Sequence, residues 1–140
     1  MQVLNEQAFL IFSKLIAMLG TEQCIKLESA PYMPLHFEYV GDMRSGQGAS
    51  KIYSLMHSYL QNGDLMRDPE MCFLHFYSDA SNQIKGILPY SYTLDSIGKY
   101  EESVIFPSWN EMEVKEELQK HHTSFANQWL LNIEEQGYIQ

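Results

Sequence analysis

Leu4, Ala8, Ile11, Phe12, Leu15, Ile16 and Leu19 recur at intervals of three and four. That spacing puts them on one face of a helix. Asn5 is a good N-cap and Gly20 suits the left-handed position past a helix end, so the pattern predicts a helix from Asn5 to about Leu19. Phe9 and Leu10 widen the stripe, and more than one neighbour is expected to cover it. From Cys24 to Ser29 the pattern changes to alternation, with Ile25 and Leu27 on one side and Lys26 and Glu28 on the other. After APYMP (30–34), Leu35 to Val40 alternates again. Both segments read as half-buried strands, paired antiparallel.

GDMRSGQG (41–48) reads as a loop. Ala49, Ile52, Tyr53, Met56 and Leu60 then fit a second helix over 49–61, closed by Asn62-Gly63. Residues 64–69 read as irregular. MCFLHFY (71–77) is apolar on both faces and predicts a central strand. SDASNQ (78–83) is a hairpin loop on this reading, and 84–92 a returning strand in which Pro89 requires a bulge or an edge position. A turn over 95–98 leads to a short strand within 99–106. Pro107 and Ser108 break the chain, and Asn110 with Glu113 fits a capping box for a last helix ending near Gln136. Its stripe is Val114, Leu118, His122, Phe125, Trp129 and Ile133.

The expected fold is α+β: an antiparallel sheet of four to five strands with three helices packed mainly on one face. The expected order is α-β-β-α-β-β-(β)-α, in one compact domain over 1–140. Length and an apolar content of 45% allow a proper core without disulfides or metals.

Nine basic residues against eighteen acidic give a net charge of −9. No basic patch is visible, which argues against direct binding to nucleic acid or to anionic membranes. The acidity serves solubility, or it forms a face for a basic partner or a DNA mimic. Cys24 and Cys72 form no CxxC and no zinc spacing, and both fall in predicted strands, so a reducing cytoplasm is expected. The apolar run over 8–19 is too short to span a bilayer and has no basic flank before it.

The segment NGDLMRDPE (62–70) gathers three carboxylates and an arginine in what reads as a connection between elements. Arg67 suits two-pronged binding of a carboxylate or phosphate, while Asp64, Asp68 and Glu70 suit general acid–base chemistry or a hard cation. The plainer reading makes Arg67 a partner of Asp64 or Asp68, with Asp68 capping a turn before Pro69. His75 beside Asp79 or Glu70 would make a base with an orienting acid. His122 shares an apolar stripe and reads as a hydrogen-bonded, half-buried side chain. Tyr90 and Tyr92, with Tyr100 and Trp109, read either as core or as an aromatic groove for a protein partner. No HExxH, GxSxG, Walker A or GxGxxG pattern occurs, and no metal or cofactor is expected.

The runs QNGDLMRDPEM (61–71), PYSYTLDSIGKYEE (89–102) and SFANQWLLNIEEQGY (124–138) resemble an uncharacterised bacterial family, a domain of unknown function carried among mobile genetic elements. The resemblance implies a setting, the bacterial cytoplasm and mobile-element cargo, and no chemistry. The leading expectation is a non-enzymatic, acidic accessory or protein-interaction domain using Asp64, Arg67, Asp68 and Glu70 with nearby tyrosines. The alternatives are a small-ligand binder or enzyme at the same segment, and a DNA-mimic inhibitor. Leu131 on the last helix raises the option of a homodimer.

Overall fold

A computed structural model describes residues 1–46, 48–78 and 86–139, the side chains of residues 77 and 78 excepted. Along the chain run α1 (Glu6–Leu19), β1 (Cys24–Leu27), β2 (Leu35–Ser45), β3 (Gly48–Gln61), β4 (Asp64–Ser78) and β5 (Gly86–Leu94). After a 3₁₀ turn (Asp95–Ile97) come β6 (Lys99–Glu102), β7 (Val104–Ile105), β8 (Glu113–Val114) and α2 (Glu116–Glu135). Strands β1 to β6 form an antiparallel meander in sequence order, and β7 and β8 pair separately.

Four to five strands and three helices were expected; the described chain has a six-stranded sheet and two helices. The expected helix over 49–61 is strand β3. Its two faces explain the misreading. Tyr53, Leu55 and His57 point toward the helices, while Ser54 and Ser58 are buried on the other face. A strand buried on both faces can carry its apolar residues at a spacing of three and four as well as of two. A local feature that goes with the strand is Asn62-Gly63. Both residues have positive φ (53° and 85°), and Gln61 pairs with Asp64 across them. This is the two-residue hairpin turn that Asn-Gly favours, not a helix end. The residues read as irregular, 64–69, therefore open β4, and most of the expected loop 41–48 is the β2–β3 hairpin.

The last helix starts at Glu116, not Asn110. Val104 pairs with Val114 and Ile105 with Glu113, and the Lys115 amide donates to the Ser103 carbonyl. Those bonds hold residues 113–115 extended, so no capping box forms. Other expectations held. The Asn5 side chain accepts from the Ala8 amide at 2.8 Å and caps α1. Pro89 sits at a bulge: the register shifts between Cys72–Ser91 and Phe73–Pro89, leaving Tyr90 unpaired. The expected hairpin loop 78–83 falls largely outside the described residues.

Both helices cover one face of the sheet. There Ile11, Phe12 and Leu15 of α1 and Trp129, Leu130 and Ile133 of α2 pack on Leu35, Phe37, Leu55, Met71, Phe73 and Ile87. On the opposite face a smaller core of Leu74, Phe76, Leu88 and Val104 lies under residues 104–114. The β2–β3 turn is fastened to that flap, since the Gly46 amide donates to the Trp109 carbonyl at 2.9 Å and a Cβ on Gly46 would meet Asn110 Cα at 3.1 Å. The flap covers only part of this outer face. Nearer the β3–β4 turn this face carries Ser54, Ser58, Arg67 and Glu70.

Candidate functional site

The segment singled out in the sequence does not form a pocket. Arg67 pairs across the sheet with Ser58, and its side chain lies on the outer face with Glu70. Its guanidinium holds Asp95 in a two-pronged bond, Nε to Oδ2 at 2.9 Å and Nη2 to Oδ1 at 2.9 Å. The Arg67 amide also donates to Asp95 Oδ2 at 2.8 Å, and Nη1 reaches Glu70 Oε1 at 3.4 Å. The fork is thus taken, and by Asp95 rather than by the Asp64 or Asp68 expected from sequence. The hydrogen bond from Arg67 holds the Asp95 carboxyl below the usual carboxylate range. Asp64 lies exposed beside the turn.

Arg67 is therefore a brace between the start of β4 and the 3₁₀ turn. Its side chain is 43% exposed, so solvent screening keeps the ion pair weak. Arg67→Ala is expected to cost about 1 kcal/mol, with a melting temperature lower by about 2–4 °C. Arg67→Lys should not restore it, because an ammonium cannot make the planar fork. Thermal melts of the two variants decide this; an unchanged melting temperature in Arg67→Ala would remove the brace.

The remaining expected residues scatter. Glu70 accepts from the Ser54 hydroxyl at 2.6 Å on the outer face. His75 is on the helix side of the same strand, edge-on to Phe9, so it does not meet Glu70. Asp79 is outside the described residues. Tyr90 packs against the outer core, on the same face as Cys72. Burial pushes up both its hydroxyl and the Cys72 thiol, which makes Cys72 a poor nucleophile. Tyr92 is on the opposite face with α2. The tyrosines thus divide between two faces and line no common groove. Among the described residues, no group of three His, Cys, Asp or Glu could hold a metal.

Tyr92 belongs to a cleft that sequence reasoning missed. It has a volume of about 230 Å³ and lies between β6 and α2, lined by Tyr92, Lys99, Glu101, Leu118, His121, His122 and Phe125. His122 is its anchor. Its Nε2 is 3.2 Å from Glu101 Oε1, and its Nδ1 is 2.8 Å from the Ser103 hydroxyl. Burial lowers the His122 pKa and Glu101 only partly offsets this, so the ring is neutral at pH 7. A carboxylate can only accept, so Nε2 carries the proton and Ser103 donates to Nδ1. The line Ser103–His122–Glu101 looks like a catalytic relay but cannot act as one through the serine. Ser103 is wholly buried, out of reach of any substrate. The relay instead holds the Glu101 carboxylate in one place.

Tyr92 lies nearly parallel to His122 with centroids 6.0 Å apart, and Phe125 meets Tyr92 edge-on at 5.4 Å. The signal for this site was present in pieces: a histidine on the apolar stripe of α2, and Lys-x-Glu on a short strand. What joins them is the packing of α2 on β5 and β6.

The family model described as a domain of unknown function (DUF6908) matches residues 7–139. No curated protein and no solved structure matches the chain.

Proposed function

The chain belongs to the family of this domain of unknown function, and from its geometry we propose a non-enzymatic accessory domain that binds another protein through one end of its sheet. The observation that carries this reading is the exposure of four large apolar side chains at that end. Leu60 is 71% exposed and Leu65 54%, facing each other across the β3–β4 hairpin. Ile97, in the 3₁₀ turn packed on β4, is 68% exposed, and Tyr100 of β6 is 63%. Single exposed apolar residues are ordinary, but several gathered at one end and rimmed by polar groups favour an interaction surface. Asp64 and the Arg67–Asp95–Glu70 network supply such a rim.

Two further points favour binding over catalysis. Arg67 is engaged by Asp95, Ser103 is wholly buried, and the raised pKa of the Cys72 thiol leaves it poorly suited to attack a substrate. The DNA-mimic alternative is less supported by α2, whose carboxylates sit in pairs at its two ends, Glu116–Glu117 and Glu134–Glu135. These pairs are roughly 27 Å apart along the helix, far from a regular phosphate spacing. Among the described residues no helix is long and apolar enough to cross a membrane. Carriage on a bacterial mobile element stays in the proposal as the setting that the resemblance implies.

The test is affinity capture from bacterial lysate by wild type and by the double variant Leu60→Asp, Leu65→Asp. Both positions are exposed, so the variant should keep its melting temperature within a few degrees. A specific partner captured by wild type should be lost, by about tenfold or more, in the double variant. Recovery of no specific partner, or equal recovery by both proteins, would sink the reading.

A further inference from the structure

The cleft between β6 and α2 is independent of the apolar end and has a chemistry of its own. One carboxylate, Glu101, stands at its rim, 28% exposed and fixed by a histidine that is only 5% exposed. With Oε1 held by His122, Oε2 faces outward toward Lys99. Beside it is the Tyr92 ring, with Phe125 as a second aromatic wall. Glu101 and the Tyr92 ring line the same cleft. A fixed carboxylate next to aromatic faces attracts a cation twice, by charge and by the ring quadrupole.

The chain already places a cation there, but loosely. Lys99 Nζ is 3.9 Å from Glu101 Oε2, beyond hydrogen-bonding reach. The same ammonium is 5.8 Å from the Tyr92 centroid, near the outer limit of a cation–π contact. Its side chain is 45% exposed. Lys99 sits on the same short strand as Glu101, two residues away, and its stem starts from the rim. A cation carried on a free stem has no such tether and can approach both the carboxylate and the ring more closely.

We propose that the cleft formed by Tyr92, Glu101, His122 and Phe125 binds the terminal cation of an amine or guanidine, displacing the chain's own Lys99 ammonium. The source is a Lys or Arg side chain of a basic protein segment, or a free polyamine; each presents a terminal nitrogen cation on a flexible stem. Glu101 supplies the charge, Tyr92 and Phe125 the aromatic faces. His122 is a positioning residue that keeps the carboxylate aimed.

The experiment is a titration of the ¹⁵N-labelled full chain followed by NMR. The probes are Nα-acetylarginine methylamide, Nα-acetyllysine methylamide and spermidine, with the citrulline analogue and inorganic phosphate as controls. Saturable shifts confined to the residues around Tyr92, Glu101, His122 and Phe125 are expected for the three cations. The citrulline analogue, of like shape without charge, should bind about tenfold more weakly or not at all. Glu101→Gln keeps an oxygen for His122 and should lose about tenfold in affinity, while its melting temperature confirms the fold. Lys99→Ala should bind the cations several-fold more tightly, which no purely structural role of this cleft would produce. Tighter binding of spermidine would assign the source to a polyamine, and tighter binding of the amino-acid amides to a basic segment. Equal binding of the citrulline analogue, preference for phosphate, or weaker cation binding in Lys99→Ala would overturn the proposal.

Discussion

Phe12→Ala is expected to cost about 3–5 kcal/mol of folding stability, the largest loss from any single truncation discussed for this chain. Phe12 is wholly buried. Its ring meets Phe73 at 4.8 Å, Phe37 at 5.3 Å and Tyr53 at 5.8 Å, and these come from three different strands. One side chain of α1 thus fastens the helix over the middle of β2, β3 and β4. Alanine there would leave a cavity walled by rings that are held by the sheet and cannot close in. Domains of this size have only about 5–15 kcal/mol in total, so the variant would sit close to unfolding. Leu10, on the solvent side of the same helix, is 54% exposed, and Leu10→Ala should change stability by no more than about 0.5 kcal/mol. Urea unfolding of both variants measures the contrast. A Phe12→Ala loss below about 1 kcal/mol would mean that α1 does not seat on the sheet through this ring.

Acid should destabilise the fold well before its carboxylates titrate. His57, His122, His75 and His36 all have pKa values lowered from the ordinary 6.5, burial being the largest cause in each. His57 is set between Trp129 at 5.5 Å and Tyr138 at 5.6 Å, with Nδ1 facing the Pro34 carbonyl. The sign follows from linkage. Below pH 6.5 the unfolded chain takes up protons on these histidines while the folded chain does not. Stability is therefore full above 6.5, falls as pH drops below it, and levels off only once the folded histidines protonate. The four groups act in the same direction, so their losses add. Urea midpoints between about pH 8 and pH 5 should fall steadily on the acid side. His57→Gln and His122→Gln, though less stable at pH 8, should each lose less on acidification than wild type. A flat profile across this range would contradict the buried, neutral state of these rings.

The two sites differ in how much of them could be read along the chain. The Asp64–Glu70 segment was visible as a cluster of charges, yet its chemistry was settled by Asp95, which lies 28 residues beyond Arg67. The fork of Arg67 found its carboxylate through the β4–β5 pairing, and that changed a candidate anion anchor into a brace. The Glu101–His122 cleft shows the converse. Tyr92, His122 and Phe125 were each noted along the chain but never together with Glu101, and only the seating of α2 beside β6 brings a carboxylate, two aromatic rings and a buried imidazole to one place.

By itself the sequence determined what depends on neighbours a few residues apart. Asn5 and Gly20 bound α1, alternation marked β1 and the start of β2, the doubly apolar run placed β4 in the middle of the sheet, and Pro89 required its bulge. Asn62-Gly63 is a signal of the same local kind, since a turn that needs two positive φ angles is written in two residues, but it reads equally as the helix end expected there and was resolved by the pairing of Gln61 with Asp64. Only the tertiary structure decided β3. Its buried positions satisfy both periods, and it is a strand because β2 and β4 supply hydrogen-bond partners on both edges. The start of α2 was decided the same way, by the pairing of β8 with β7. Local patterning fixes which conformations a segment can adopt at low cost; where two remain, the partners it finds across the fold select between them.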